Sequence, residues 1–328
     1  MYFLKFYCFF NSIINIWDFV LAFILIFAVS ACAKKNEQSS SDKPTEDSPE
    51  SISEEDTGYP VSIGDVKITM PPEKIVSLSP AITELLCDLG YREKIIGISD
   101  FCSYEAEDIS SLPRLGTVSS TQTEDILSLS PQLVLSVSPI SATAQEALKK
   151  ADITVLVLPR ANSLDELCEL YKNISKIFDG EKSGGEKGQA FFDKQNAVLT
   201  AISEKVMALE KQPEAAYLRV MPLTLATGDS FEGRLLEKCG FKNSAASYTG
   251  WVYPKEAAAG LMPDIIFYDK IIGLDALKAT QIYSTTPAYA NKKCFETDME
   301  VFERQGKRMF TMLEEMTKKA CPKAFENS

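Results

Sequence analysis

The chain has 328 residues, 45% of them apolar, enough for one large or two medium domains. A formal net charge of −12 excludes the concentrated Lys/Arg surface that nucleic-acid phosphates require. Histidine is absent, which removes Ser-His-Asp and Cys-His catalysis, histidine-held zinc or manganese, and a histidine axial ligand to haem.

At the N-terminus, Lys5 precedes a hydrophobic stretch that ends in small residues, as secretory signals do. Val29-Ser30-Ala31-Cys32 resembles the bacterial lipoprotein signal, in which Cys32 is lipidated and becomes the mature N-terminus. An uncleaved membrane anchor is the alternative, and Asp18 leaves a start codon further downstream open. Either way, residues beyond 32 are expected on the outer face of the cytoplasmic membrane. Residues 33–58 are Lys/Glu/Ser/Asp/Pro-rich and cannot offset their ordering entropy, so they read as an acidic tether.

Val61 to Met70 alternates apolar and polar residues about Gly64-Asp65, predicting a hairpin. Strands are expected at Lys74–Ser79, Ile95–Ile98, Leu133–Val137 and Thr154–Leu158, with helices at Ala81–Leu89, Glu124–Leu129 and Ala144–Lys150 between them. This alternation predicts an N-terminal α/β lobe, residues 59–160, with a mainly parallel sheet covered on both faces. Residues 161–212 form a helical connector, in which two helical stretches flank a break at Gly184-Gly185. In the second stretch Phe192, Leu199, Ile202, Val206 and Leu209 recur at helical spacing, and Pro213 ends it. A C-terminal lobe, residues 213–328, follows with strands at Ala215–Val220 and Asp264–Tyr268. Its helices are expected at Phe231–Cys239 and from about Phe302 to Ala320. The expected fold is therefore α/β, two lobes with mainly parallel sheets joined by a single long rigid helix.

A faint repeat relates the lobes. Glu124 stands seven residues before Pro131 and a buried strand; Glu256 stands seven before Pro263 and another. Locally, Thr121-Gln-Thr-Glu124 reads as a capping box, and Pro254-Lys-Glu256 places an anion where the helix dipole favours it. The duplication supports a second reading, an electrostatic clamp with one carboxylate per lobe.

Lys74-Ile-Val-Ser-Leu-Ser-Pro-Ala-Ile-Thr-Glu-Leu-Leu, Gly97-Ile-Ser-Asp-Phe-Cys-Ser-Tyr104, the Glu124 motif, Gly250-Trp-Val-Tyr-Pro-Lys-Glu256 and Phe302-Glu-Arg304 together resemble the ABC-importer binding proteins for vitamin B12 and ferric siderophores (class III solute-binding proteins). The resemblance implies a ligand held between the lobes, and partners in a permease dimer and its ATPase. It also implies permease-docking roles for Glu124 and Glu256. In the family's vitamin B12 binders aromatic side chains grip the corrin, and the matching positions here are Phe101, Val118 and Trp251, so one of three is not aromatic. Tyr104, Met221, Tyr253 and Arg304 are further cleft candidates. Those binders also join two second-lobe cysteines. Cys239 matches the first and Cys321 lies one turn beyond the second, so a Cys239–Cys321 bond is implied, with Cys294 competing.

The expected role is a monomeric, non-catalytic binding module without a cofactor, carrying a metal chelate. Corrinoid ranks ahead of ferric siderophore, and haem is third because only Tyr, Met or Cys could ligate it. A surface sensor or adhesin, or a chelatase-like enzyme, would use the same fold.

Overall fold

A computed structural model describes residues 58–104 and 109–326 of the chain. The signal segment with Cys32, and the tether up to residue 57, lie outside the described residues. The predicted hairpin forms from β1 (Val61–Ile63) and β2 (Val66–Ile68), paired antiparallel, with Gly64 at φ +56° in the turn. Glycine takes that left-handed conformation without a Cβ penalty.

The first sheet is built from β3 (Ile75–Ser77), α1 (Pro80–Asp88), β4 (Ile95–Ile98), α2 (Thr123–Leu129), β5 (Leu133–Ser136), α3 (Ala142–Lys150) and β6 (Thr154–Val157). Its strands run parallel in the order β4-β3-β5-β6. The central strands β3 and β5 are buried at every residue, as a sheet covered on both faces requires.

The connector is a helical hairpin of α4 (Leu164–Asp179) and α5 (Glu181–Met207). The expected break at Gly184-Gly185 is absent; the chain turns at Gly180, φ +79°, and both glycines lie inside α5. Gly184, with Gly188, serves close packing instead. A Cβ on Gly184 would fall 2.5 Å from the Lys176 backbone N, and one on Gly188 2.4 Å from Lys172 Cα, so the α4 backbone comes this near α5 because α5 lacks side chains at those two positions. At about 1.5 Å per residue, the 27 residues of α5 extend for roughly 40 Å.

The second sheet follows with β7 (Glu214–Val220), β8 (Thr224–Leu225), α6 (Phe231–Lys238), β9 (Lys242–Asn243) and β10 (Ile265–Asp269). After them come α7 (Leu274–Ala279), α8 (Gln281–Ser284), α9 (Pro287–Ala290), β11 (Cys294–Thr297), α10 (Met299–Phe302) and α11 (Lys307–Ala320). The strand order is β11-β10-β7-β8, with β9 beside β7, and all pairs except β7-β8 are parallel. The single terminal helix expected from about Phe302 is interrupted between α10 and α11, where Gln305 sits at φ +62°. Its buried side chain accepts from Ala161 N–H at 3.0 Å and donates to Ala161 C=O at 2.7 Å. Those bonds satisfy a backbone segment in the connector.

Strand alternation divides the interior. Ile75, Leu135, Tyr217 and Phe267 face one continuous core shared with Tyr171 and Ile174 of α4 and Phe310 of α11. Val76 and Val134 face an outer core under α2 and α3. Ala216, Leu218 and Ile266 face a second outer core under α7 and α8. The expected Cys239–Cys321 bond is not formed, and both thiols are free. Cys239 is fully buried and shares a hydrogen bond with the hydroxyl of Thr317, one turn before Cys321 on α11, while burial pushes its thiol up to about 12. Cys294 is also free.

Candidate functional site

In parallel sheets ligands are met at the carboxyl ends of strands, above all where strand order reverses. The first sheet reverses at β3, which has β4 on one side and β5 on the other. A crevice of about 370 Å³ opens there, lined by Leu78 and Pro80 after β3, Phe101 after β4, Val118, and Val137 and Pro139 after β5. Phe101 and Val118, two of the three positions matched to corrin-gripping aromatics, thus converge. Phe101 is 69% exposed.

The loop bearing Phe101 is braced from behind. Asp100 exchanges bonds with Gly116: its N–H donates to the Gly116 carbonyl and its Oδ1 accepts from Gly116 N–H, both at 2.9 Å. Arg114 Nη1 donates to the carbonyls of Ser99 at 3.2 Å and Cys102 at 2.7 Å. From the second lobe, Arg304 donates to Ser103 Oγ at 3.3 Å and to the Phe101 carbonyl at 3.5 Å. A large apolar ring is thus presented to solvent on a well-fastened loop, beside the apolar crevice lining of Leu78, Val118 and Val137.

The second lobe also carries exposed apolar side chains, near the carboxyl ends of β7 and β10 and beside β8. Val220, Val252, Ile271 and Leu274 are all at least half exposed there, Ile271 at 81%. Trp251 lies among them, half-buried, at φ +64°. Its N–H donates to Thr227 Oγ1 at 3.1 Å, and the Gly250 N–H donates to the Asp229 carboxylate at 3.0 Å. The Thr227 hydroxyl and that N–H hold the Asp229 carboxyl below the usual aspartate range. Arg219 sits over the indole, 5.4 Å from its centroid, and Tyr217 meets it edge-on at 6.2 Å. Arg219 grips Glu303 at 2.7 and 2.9 Å, and Arg304, next in sequence, reaches the Phe101 loop. Two consecutive residues, Glu303 and Arg304, thus brace the segments that carry Trp251 and Phe101.

Three further cleft candidates are placed elsewhere. Tyr104 is buried, its hydroxyl donating to Asp88 Oδ1 at 2.7 Å under the Arg308 guanidinium, and burial pushes its phenol far up. Tyr253 is buried in the outer core against Tyr248, ring centroids 4.6 Å apart. Met221 is half-buried against that same core. Arg304 is buried too, and acts behind Phe101, facing Glu84 at 4.0 Å and Glu300 at 3.6 Å. Fully buried Glu84 takes a forked pair from Arg308 at 3.0 and 2.6 Å, joining α1 to α11. Arg160 similarly ties Glu232, at 2.8 Å, and the Glu303 carbonyl, at 2.6 Å.

Glu124 lies in the first turn of α2 and Glu256 in a 3₁₀ turn, Lys255–Gly260, and both side chains are exposed. The expected capping box does not form: Gln122 is the N-cap, and the Thr121 hydroxyl donates to the Thr117 carbonyl at 3.1 Å. Sequence reasoning missed Val220, Val252, Leu274 and Ile271. Ile271-Ile272-Gly273-Leu274 carried a signal, an apolar run directly after a buried strand where turn residues should be polar.

A model of the family described as periplasmic binding protein matches residues 75–301. The chain belongs to the periplasmic binding protein family. Its members capture solutes for transport and are not enzymes. This binding protein is 31% identical, over 82% of its length and 88% of the relative's, to the uncharacterized ABC transporter substrate-binding lipoprotein YvrC of Bacillus subtilis (strain 168). It is 25% identical to a cobalamin-binding protein of Halobacterium salinarum (strain ATCC 29341 / DSM 671 / R1), over 68% of this chain and 60% of that one. Its fold matches the periplasmic heme-binding protein RhuT from Roseiflexus sp. RS-1 in apo form, with a TM-score of 0.64 at 21% identity, covering 77% of this chain and 99% of that one.

Proposed function

We propose that this binding protein is the lipid-anchored capture subunit of an ABC importer and carries a metal chelate, foremost a corrinoid, between Phe101 and Trp251. The observation that supports this most is Phe101, exposed on a braced loop, with Val252 and Ile271 exposed on the second lobe. Such surfaces suit the broad apolar face of a macrocycle. Three cations near these loops are engaged: Arg114 by backbone carbonyls, Arg219 by Glu303, and Lys270 by Asp298 at 2.8 Å. Strongly anionic chelates thus meet less complementary charge than a nearly neutral corrinoid does. Haem is disfavoured because the hydroxyl of Tyr104 is committed to Asp88. The relative named as a cobalamin-binding protein points the same way. In this proposal Cys32 carries the lipid outside the cytoplasmic membrane, and Glu124 and Glu256 meet cationic groups of the permease dimer. The protein acts as a monomer.

The test is a titration with cyanocobalamin, a ferric hydroxamate and haemin, read by Trp251 emission and thermal shift. Cyanocobalamin is expected to quench at the lowest concentration. Phe101→Ala should weaken binding roughly tenfold or more, from the loss of an aromatic contact and its burial. No response to any of the three chelates refutes the proposal.

A further inference from the structure

We propose that Arg219 is a positioning residue for the ligand-gripping ring: clamped by Glu303, its guanidinium backs Trp251 and fixes the angle at which the indole meets the bound chelate. This rests on the cleft role proposed above and adds to it a residue outside the motifs that suggested the cleft.

Trp251 needs such support. Its backbone is at φ +64°, a conformation that bulky side chains rarely adopt and that persists only where the surroundings over-determine it. The backbone is secured by Thr227 and Asp229, but those bonds leave the ring's own rotation free. Two groups restrict that rotation. Tyr217 presents its edge at 6.2 Å and is itself packed against Phe302 at 4.7 Å. Arg219 supplies a cation at 5.4 Å, within reach of the ring's quadrupole.

A free arginine would make a poor backstop, because its long side chain samples many rotamers. Arg219 is not free. Nε and Nη2 both donate to Glu303, at 2.7 and 2.9 Å, and this two-point grip sets the plane of the guanidinium as well as its place. Glu303 is fixed in turn. Its side chain is only 10% exposed, and its carbonyl accepts from Arg160, which also holds buried Glu232. The chain of support runs from Arg160 at the end of the first lobe, through Glu303, to Arg219 and the indole. Lysine at 219 would keep the charge but lose the fork.

The geometry also separates positioning from direct ligand contact. If Arg219 touched the chelate itself, freeing it with Glu303→Gln would preserve or strengthen binding. A positioning role requires Glu303→Gln and Arg219→Gln to weaken binding together and to alter Trp251 before any ligand is added.

The experiment uses the full-length protein carrying Trp17→Phe, so that Trp251 is its sole tryptophan. Arg219→Gln, Arg219→Lys and Glu303→Gln are compared by ligand-free emission, acrylamide quenching and cyanocobalamin affinity, with thermal melts to establish folding. Arg219→Gln and Glu303→Gln should each raise acrylamide quenching about twofold and weaken cyanocobalamin binding roughly tenfold, with Arg219→Lys between them and the parent. Unchanged emission, quenching and affinity in folded Arg219→Gln and Glu303→Gln would overturn the positioning role while leaving the cleft intact. A Glu303→Gln variant that binds as tightly as the parent beside a weakened Arg219→Gln would overturn it in favour of direct contact. If cyanocobalamin, the ferric hydroxamate and haemin all fail to quench the Trp17→Phe parent, the cleft role itself fails, and this assignment with it.

Discussion

Gly184 and Gly185 are adjacent on α5 yet should respond oppositely to alanine. Replacing a helix-interior glycine by alanine gains about 1 kcal/mol through backbone entropy. At Gly185 a Cβ would meet only the mobile Cε of Lys176 at 3.4 Å, so this gain should be realised. At Gly184 it would lie 2.5 Å from Lys176 N and Cα, and at Gly188 2.4 Å from Lys172 Cα. These are backbone atoms about 1 Å inside van der Waals contact, and no rotamer change relieves them. Only separation of α4 from α5 does, and overpacking of this kind costs about 1–3 kcal/mol. The two sites share one helix face, so their effects are not simply additive. The double variant Gly184→Ala/Gly188→Ala should lose about 2 kcal/mol net, lowering Tm by about 4 °C or more, while Gly185→Ala raises it slightly. Calorimetry or urea titration reads both. A Gly184→Ala protein that melts higher than the parent, as Gly185→Ala should, would refute the close approach of α4 and α5.

Reversing Glu124 and Glu256 to Lys should abolish uptake of the chelate by cells while its affinity in solution is unchanged; a parallel fall in affinity would assign these residues to the fold. Asp229 has its carboxyl lowered by the Thr227 hydroxyl and the Gly250 N–H, so its bonds contribute stability that is fully present above the ordinary aspartate range, about pH 4, and is lost as pH falls through the lowered value. Trp251 emission should therefore shift only below about pH 4, and Asp229→Asn should remove that acid transition. Arg308→Ala leaves the fully buried Glu84 with Arg304 alone, at 4.0 Å, and should cost about 3 kcal/mol in urea titration. A change within error would mean that water or Arg304 compensates the carboxylate.

The strands were legible because a strand covered on both faces reads as a continuous apolar run: Ile75, Val76, Leu133, Val134 and Leu135 could only be interior. Gly184-Gly185 misled because a glycine that admits a neighbouring helix is locally indistinguishable from one that ends a helix. The interruption after Phe302 had one local signal, Gly306 at the start of α11, but its fixing partner, Ala161, lies 144 residues from Gln305. In the site, Phe101 and Trp251 were reached through motifs, but Tyr104 and Tyr253 show that a motif does not say whether an aromatic faces solvent or core. Cys239 was matched to a partner one turn too far along α11, because the thiol faces Thr317.

The turn joining α10 to α11 has a mechanical consequence. Glu303 holds Arg219 within its own lobe, Arg304 holds the Phe101 loop, and Gln305 holds Ala161, so consecutive residues rivet three separate parts of the molecule. Prying the halves apart would shear the Arg304 and Gln305 bonds at once, together with the Glu84 to Arg308 fork. Lobes tied together in this way have few relative arrangements left to lose, so binding that leaves these bonds in place would cost little conformational freedom.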